Sequence, residues 1–145
     1  TEEDFARSHP GGALGRRLLL HVEDVMRRGE DLPAVGPETL LREGLLEMSR
    51  KGLGMTTIVD PGGRVLGVFT DGDLRRALDG QLDVHATRMS DVMTRGCKVA
   101  KPRMLAAEAV HLMETFRITA LPVVDDEGRL VGALNVHDLL RAGVM

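Results

Sequence analysis

Aromatic side chains are nearly missing from this 145-residue sequence: there is no Trp, no Tyr, and only Phe5, Phe69 and Phe116. Proteins that hold single-stranded nucleic acid stack its bases on aromatic platforms, so that class is excluded. Any pocket for a base has to grip it with aliphatic side chains and backbone. Cysteine is almost absent too. With Cys97 alone, neither an intrachain disulfide nor a multi-cysteine zinc site can be built. No catalytic partner stands beside Cys97, which reads as a small apolar residue in a strand. A reducing, cytoplasmic setting is the expectation. No apolar run reaches the length of a membrane span, and no signal-peptide pattern opens the chain. The formal net charge of -3 gives no reason to expect a nucleic-acid partner. The first residue is Thr1 rather than Met, so the chain is expected to be a processed or excised piece of a longer one.

What the sequence does contain is a duplication. Asp24-Val25-Met26, with Gly29 after it, returns as Asp91-Val92-Met93 with Gly96, 67 positions later. Asp60, Gly63-Arg64, Gly67, Asp73-Leu74 and Arg76 return as Asp125, Gly128-Arg129, Gly132, Asp138-Leu139 and Arg141, 65 positions later. Glu43 and Met48 match Glu108 and Met113 on the same shorter offset. Chance matches do not hold one register over so many positions.

Both copies read alike. In the first, Leu41, Leu45 and Met48 fall on one helical face, and Gly52 and Gly54 mark its end. The β-rich Thr56-Thr57-Ile58-Val59 runs into the turn Pro61-Gly62-Gly63, and Val65 to Phe69 is an apolar strand suited to burial on both faces. Thr70-Asp71-Gly72-Asp73 then caps a short helix through Leu74 and Leu78. The second copy places Leu105, Ala109, Leu112 and Phe116 on a helix, strands at 121–125 and 130–134, and a last helix from about His137. With a short strand before each long helix, the order per unit is strand, helix, strand, strand, helix. A unit of about 55 residues buries too little surface to be stable alone, so the two are expected to pack sheet to sheet. The fold class is therefore α+β with pseudo-two-fold symmetry. The division is 1–21 outside the repeat, 22–79 and 91–145 as the two units, and 80–90 as connector.

The repeat resembles the CBS-domain family, whose members occur as tandem pairs and bind adenosyl compounds or other nucleotides between the units. The residues that carry the resemblance are Asp24-Val25-Met26, Asp91-Val92-Met93, and the strand-end stretches Gly67 to Asp73 and Gly132 to Asp138. The stretch Phe5 to Leu19, with Ser8-His9-Pro10-Gly11-Gly12 inside it, and the C-terminal His137 to Val144 are similar to D-arabinose 5-phosphate isomerases. In that group a sugar-isomerase (SIS) domain precedes a CBS pair, and the enzymes interconvert ribulose 5-phosphate and arabinose 5-phosphate on the way to the lipopolysaccharide sugar Kdo of Gram-negative bacteria. The resemblance makes residues 1–21 the junction with an SIS domain and gives His9 a place in that domain's active site. Without the SIS domain, His9 is expected to be inert.

Two readings of the strand ends stand side by side. Thr70, Asp71 and Asp73 can simply cap a helix. Alternatively the Thr70 hydroxyl donates to a phosphate at the helix start, and Asp73 accepts the hydroxyls of a ribose. In the second copy Asn135 replaces the Thr and Asp138 is kept. Arg75, Arg76, His137 and Arg141 stand beside these carboxylates, as phosphate partners or as a solvated helix face. His137-Asp138 as a metal pair has no further ligand to support it. The resemblance adds Met55, Thr56 and Thr57 after Gly54, and Ala120, Leu121 and Pro122, as walls of a base pocket, against plain core packing.

From these features the expected function is a regulatory nucleotide-binding module attached to the isomerase, with no cofactor and no metal. The end product CMP-Kdo is favoured as ligand, and AMP or ATP is the alternative. A different class of function is ligand-free assembly through paired CBS modules, a homodimer here and a tetramer in the parent, with Val22, Leu32 and Leu82 as interface or core. Catalysis by the chain itself is not expected, since it holds no nucleophile–base pair or metal set.

Overall fold

The computed structural model describes residues 19–145. His9 and the isomerase-like junction fall outside these residues. The elements are α1 (Val22–Val25), β1 (Ala34–Val35), α2 (Leu41–Lys51), β2 (Met55–Val59), β3 (Val65–Thr70), α3 (Asp71–Asp79), α4 (Met89–Val92), β4 (Thr94–Arg95), α5 (Ala106–Phe116), β5 (Ala120–Val124), β6 (Leu130–Asn135) and α6 (Val136–Arg141). The expected α+β order is present in both copies.

One feature of the topology has no counterpart in the linear reading. β1 pairs in parallel with β2, β2 with β3 antiparallel, and the fourth strand of that sheet is β4, which belongs to the second copy. Reciprocally, Arg27 of the first copy bridges Ala133 on β6, exchanging backbone hydrogen bonds of 2.9 and 3.1 Å. Each copy thus lends its opening segment to the other. The short helices travel with those strands. Val22 and Met26 pack into the second core with Ala109, Met113, Leu121, Leu134 and Leu139, while Met89 packs with Leu41, Met48, Ile58 and Phe69 in the first. The repeated Asp-Val-Met has its explanation here. Asp24 and Asp91 accept the backbone N–H of the residue three positions earlier, His21 at 2.8 Å and Arg88 at 3.0 Å, and so fix the entry to each exchanged helix.

The two sheets face one another across a small apolar layer of Met55 and Val68 from one side and Ala133 and Ala120 from the other, with Leu53, Leu32 and Cys97. The hairpin tips are tied as well: Val65 N–H donates to the Gly128 carbonyl and Leu130 N–H to that of Gly63, at 3.0 and 2.9 Å. Phe69, fully buried, contributes roughly 2–3 kcal/mol of transfer free energy.

Several side chains lie elsewhere than expected. The buried face of α5 is Ala106, Ala109 and Met113, and Phe116 is 47% exposed because the helix ends there, its ring lying 4.2 Å from the Lys98 ammonium. Cys97 is in an irregular segment rather than a strand, and burial pushes its thiol pKa up, which keeps it in the unreactive form. Val22 is completely buried within the chain and cannot serve an interface, Leu32 packs on the central layer, and Leu82 is exposed. No helix among the described residues is long and apolar enough to cross a membrane.

Candidate functional site

The end of β3 passes directly into α3, and the join is closed by a reciprocal cap. The Thr70 hydroxyl oxygen accepts the Asp73 N–H at 3.3 Å, and Asp73 Oδ2 accepts the Thr70 N–H at 2.9 Å and the Thr70 hydroxyl at 3.1 Å. The other carboxylate oxygen, Oδ1, accepts from Arg76 and, at 2.8 Å, from the hydroxyl of Thr94 on the exchanged strand β4. Burial by itself raises the Asp73 pKa; the bonds from Arg76, the Thr70 backbone, Thr94 and the Thr70 hydroxyl together outweigh it and hold the carboxyl below its ordinary value.

Beside this carboxylate opens a cleft of about 530 Å³. Its floor is aliphatic, with Val68, Ile118, Ala120 and Pro122, and its rim is polar, with Thr70, Asp71, Thr94, Thr119 and the cations Arg76, Lys98 and Arg117. That volume lies within the range of small-molecule sites. Neither Lys98 nor Arg117 forms an ion pair with a described residue, whereas Arg76 is paired with Asp73. Arg117 sits at the end of α5 with φ of 54°, a left-handed conformation that a non-glycine residue adopts at a cost of about 1 kcal/mol.

Residues 22–80 and 89–144 each match the CBS domain family. The chain belongs to that family. Over all 145 residues it is 61% identical to the arabinose 5-phosphate isomerase KdsD of Pseudomonas aeruginosa and 52% identical to that of Escherichia coli K12. It spans 44% of the length of these relatives. Among solved structures, CBSX2 of Arabidopsis thaliana in complex with AMP superposes with a TM-score of 0.74 at 26% identity, covering 86% of this chain and 96% of that one.

In this CBS pair the motif is repeated, but its surroundings are not. Asn135 caps α6 by accepting the Asp138 N–H at 2.9 Å. Asp138, however, turns to Arg27, which stands at the place Thr94 holds in the other half. Arg27 Nε donates to Asp138 Oδ2 at 2.9 Å, one terminal nitrogen to Oδ1 at 3.3 Å, and the other to the Lys51 carbonyl at 3.0 Å. Arg141 also donates to Asp138.

Of the residues expected at a site, Thr70, Asp71, Asp73, Arg76, Ala120 and Pro122 come together in the cleft. Asn135, His137 and Asp138 lie in the other half, with His137 exposed; Arg75 is exposed on α3 and does not line the cleft. Met55 and Leu121 are fully buried in the central layer and in the second core. The Thr57 hydroxyl donates to the Pro33 carbonyl at 2.6 Å, the Thr56 hydroxyl is buried with no partner among the described residues, and neither lines the cleft. Asp73 differs from its expected role in one respect. All its acceptor positions are taken, and a ribose hydroxyl can reach it only by displacing Thr94 or the exposed Arg76.

Thr94, Lys98, Ile118 and Arg117 were not legible as site residues. Thr94 enters from the other copy, which only the strand exchange explains. Arg117 did leave a signal in the repeat register: it stands where the first copy has Gly52, itself left-handed at φ 68°.

Proposed function

We propose that this CBS pair is the regulatory portion of an arabinose 5-phosphate isomerase and that its open cleft binds a nucleotide. The observation that carries this reading is the cleft at Thr70–Asp73, with an aliphatic floor for a base and, on its rim, Lys98 and Arg117, which pair with no described residue, for a phosphate or carboxylate. CBSX2, which superposes on the chain, is a complex with AMP, and the curated relatives that match the chain end to end are isomerases. On this reading residues 1–21 join the pair to a SIS domain, 22–79 and 91–145 are its two units, and the whole works in the cytoplasm of a Gram-negative bacterium.

CMP-Kdo is the favoured ligand. Its cytosine lies on the aliphatic floor, its phosphate at the α3 start, and its sugar carboxylate against Lys98 or Arg117, which a charge-assisted pair favours. AMP and ATP are the alternatives, and they use only the phosphate part of that rim. Isothermal titration of the chain with CMP-Kdo, CMP, AMP and ATP in parallel decides. Binding of CMP-Kdo well above CMP supports an end-product sensor, preference for AMP or ATP an energy sensor, and silence from all four sinks nucleotide binding.

Assembly is favoured by a separate observation. Leu46, Leu78, Leu140 and Phe116 are exposed on the outer helices, and a groove along α5 is lined by Met104, Ala107, Leu112 and Phe116. A homodimer through these faces places isomerase domains in a tetramer, and sedimentation of the chain as a monomer at high concentration would rule that out.

A further inference from the structure

We propose that the second cleft of the pair is occupied by the protein itself: the Arg27 side chain fills the position of a ligand, so the chain takes one nucleotide and not two. This rests on the nucleotide reading of the first cleft and adds its stoichiometry and the residue that sets it.

The two halves are related residue by residue through the repeat. Thr94 follows Asp91-Val92-Met93 and Arg27 follows Asp24-Val25-Met26, and both arrive on exchanged strands opposite equivalent positions, Val68 and Ala133. Thr94 is short. It offers Asp73 one hydroxyl and leaves the cleft open. Arg27 is long, and its guanidinium meets both oxygens of Asp138, as the two hydroxyls of a cis-diol would. Its remaining nitrogen donates to the end of α2, so the side chain spans the gap between the units and is held on both sides. The pair is largely sheltered, Arg27 at 26% and Asp138 at 10% exposure.

The surroundings agree. Where the open cleft has Cys97 and Lys98 after its exchanged strand, the closed half has Glu30 and Asp31. In the repeat register the closed half thus carries carboxylates where the open cleft carries a cation, and a site uncovered there is expected to favour a neutral nucleoside over a phosphate.

The test is calorimetric stoichiometry on the chain and two variants exchanged across the pseudo-symmetry axis, with AMP, CMP-Kdo and uncharged adenosine and cytidine as probes. The wild type is expected to take one nucleotide per chain. Arg27→Thr is expected to gain a second site that binds at least one of the two nucleosides. Thr94→Arg is expected to lose the first site, its affinity falling at least about tenfold, because the introduced guanidinium pairs with Asp73. Two equivalent sites in the wild type overturn the inference, and so does a folded Arg27→Thr that gains none. If Arg27→Thr fails to fold by circular dichroism, Thr94→Arg decides, and undiminished affinity there counts against Arg27 as a plug. A wild type that binds nothing sinks the nucleotide reading instead, and the gain or lack of a site in Arg27→Thr still settles whether Arg27 is what closes its half.

Discussion

At Thr70–Asp73 and at Asn135–Asp138 the chain makes the same turn from strand to helix, and at both an arginine one turn later reaches back to the carboxylate. The carboxylates are nevertheless put to different uses. Asp73 spends one oxygen on its own cap and shares the other between Arg76 and a threonine from across the pair. Asp138 leaves its cap half made, accepting no bond from Asn135; both its oxygens accept from Arg27, one of them shared with Arg141. One half is an open, cationic cleft and the other an internal brace between units. A duplication with exchanged strands makes this division simple. The residue that decides each half is supplied by the opposite copy, so the scaffold of a half can stay constant while its occupant changes.

The largest test of that difference is steric. Gly67 and Gly132 are equivalent positions where the exchanged strands pass closest. A Cβ on Gly67 would lie 2.5 Å from the Thr94 carbonyl oxygen, which is backbone and cannot turn aside. A Cβ on Gly132 would meet chiefly the Met26 sulfur at 2.3 Å, with the Arg27 carbonyl at 3.1 Å, and a methionine side chain can rotate. Gly67→Ala is therefore expected to cost about 3 kcal/mol and Gly132→Ala nearer 1 kcal/mol, read as urea midpoints. Equal costs would show that the two exchanged strands are held alike.

How much of this was legible in advance follows the distance over which each feature is determined. The helices and hairpins came from local pattern: Leu41 and Met48 on one face, Gly52 stopping α2, Gly63 and Gly128 turning the hairpins. The caps at Thr70 and Asn135 were legible for the same reason. The strand exchange was not, because nothing local to Arg27 or Thr94 tells which sheet its segment joins. Without it the site could be drawn only from one copy at a time, so Met55, Thr57 and Leu121 were placed near a pocket that their burial now denies them. Arg27 was the costliest omission, since its partner Asp138 lies 111 positions away.

A smaller effect concerns the open half and pH. The Asp73 carboxyl is held below its ordinary value by its bonds in the fold. The stability this contributes is complete above the carboxyl's value in the unfolded chain, and it is lost as pH falls through the lower value in the fold. Asp73→Asn is expected to cost about 2 kcal/mol at neutral pH. The gap between variant and wild type is then expected to narrow as pH falls below the ordinary carboxylate range. A gap that stays constant to low pH would mean that Asp73 acts by packing and not by charge. Salt should reduce the Arg76 share, because that side chain is 72% exposed.

The smallest change runs in the opposite direction. Arg117 and Gly52 end equivalent helices in the same left-handed conformation, which is free for glycine and strained for arginine. Arg117→Gly makes the two ends alike, and it is expected to stabilise the chain by up to about 1 kcal/mol. The arginine side chain makes no hydrogen bond or ion pair with a described residue that would explain keeping it there. What it does have is a place on the rim of the open cleft. A gain in stability joined to a weaker affinity for CMP-Kdo would show that strain is tolerated to hold a cation at the ligand. A gain in stability with affinity unchanged would leave the open half to Arg76 and Lys98 alone.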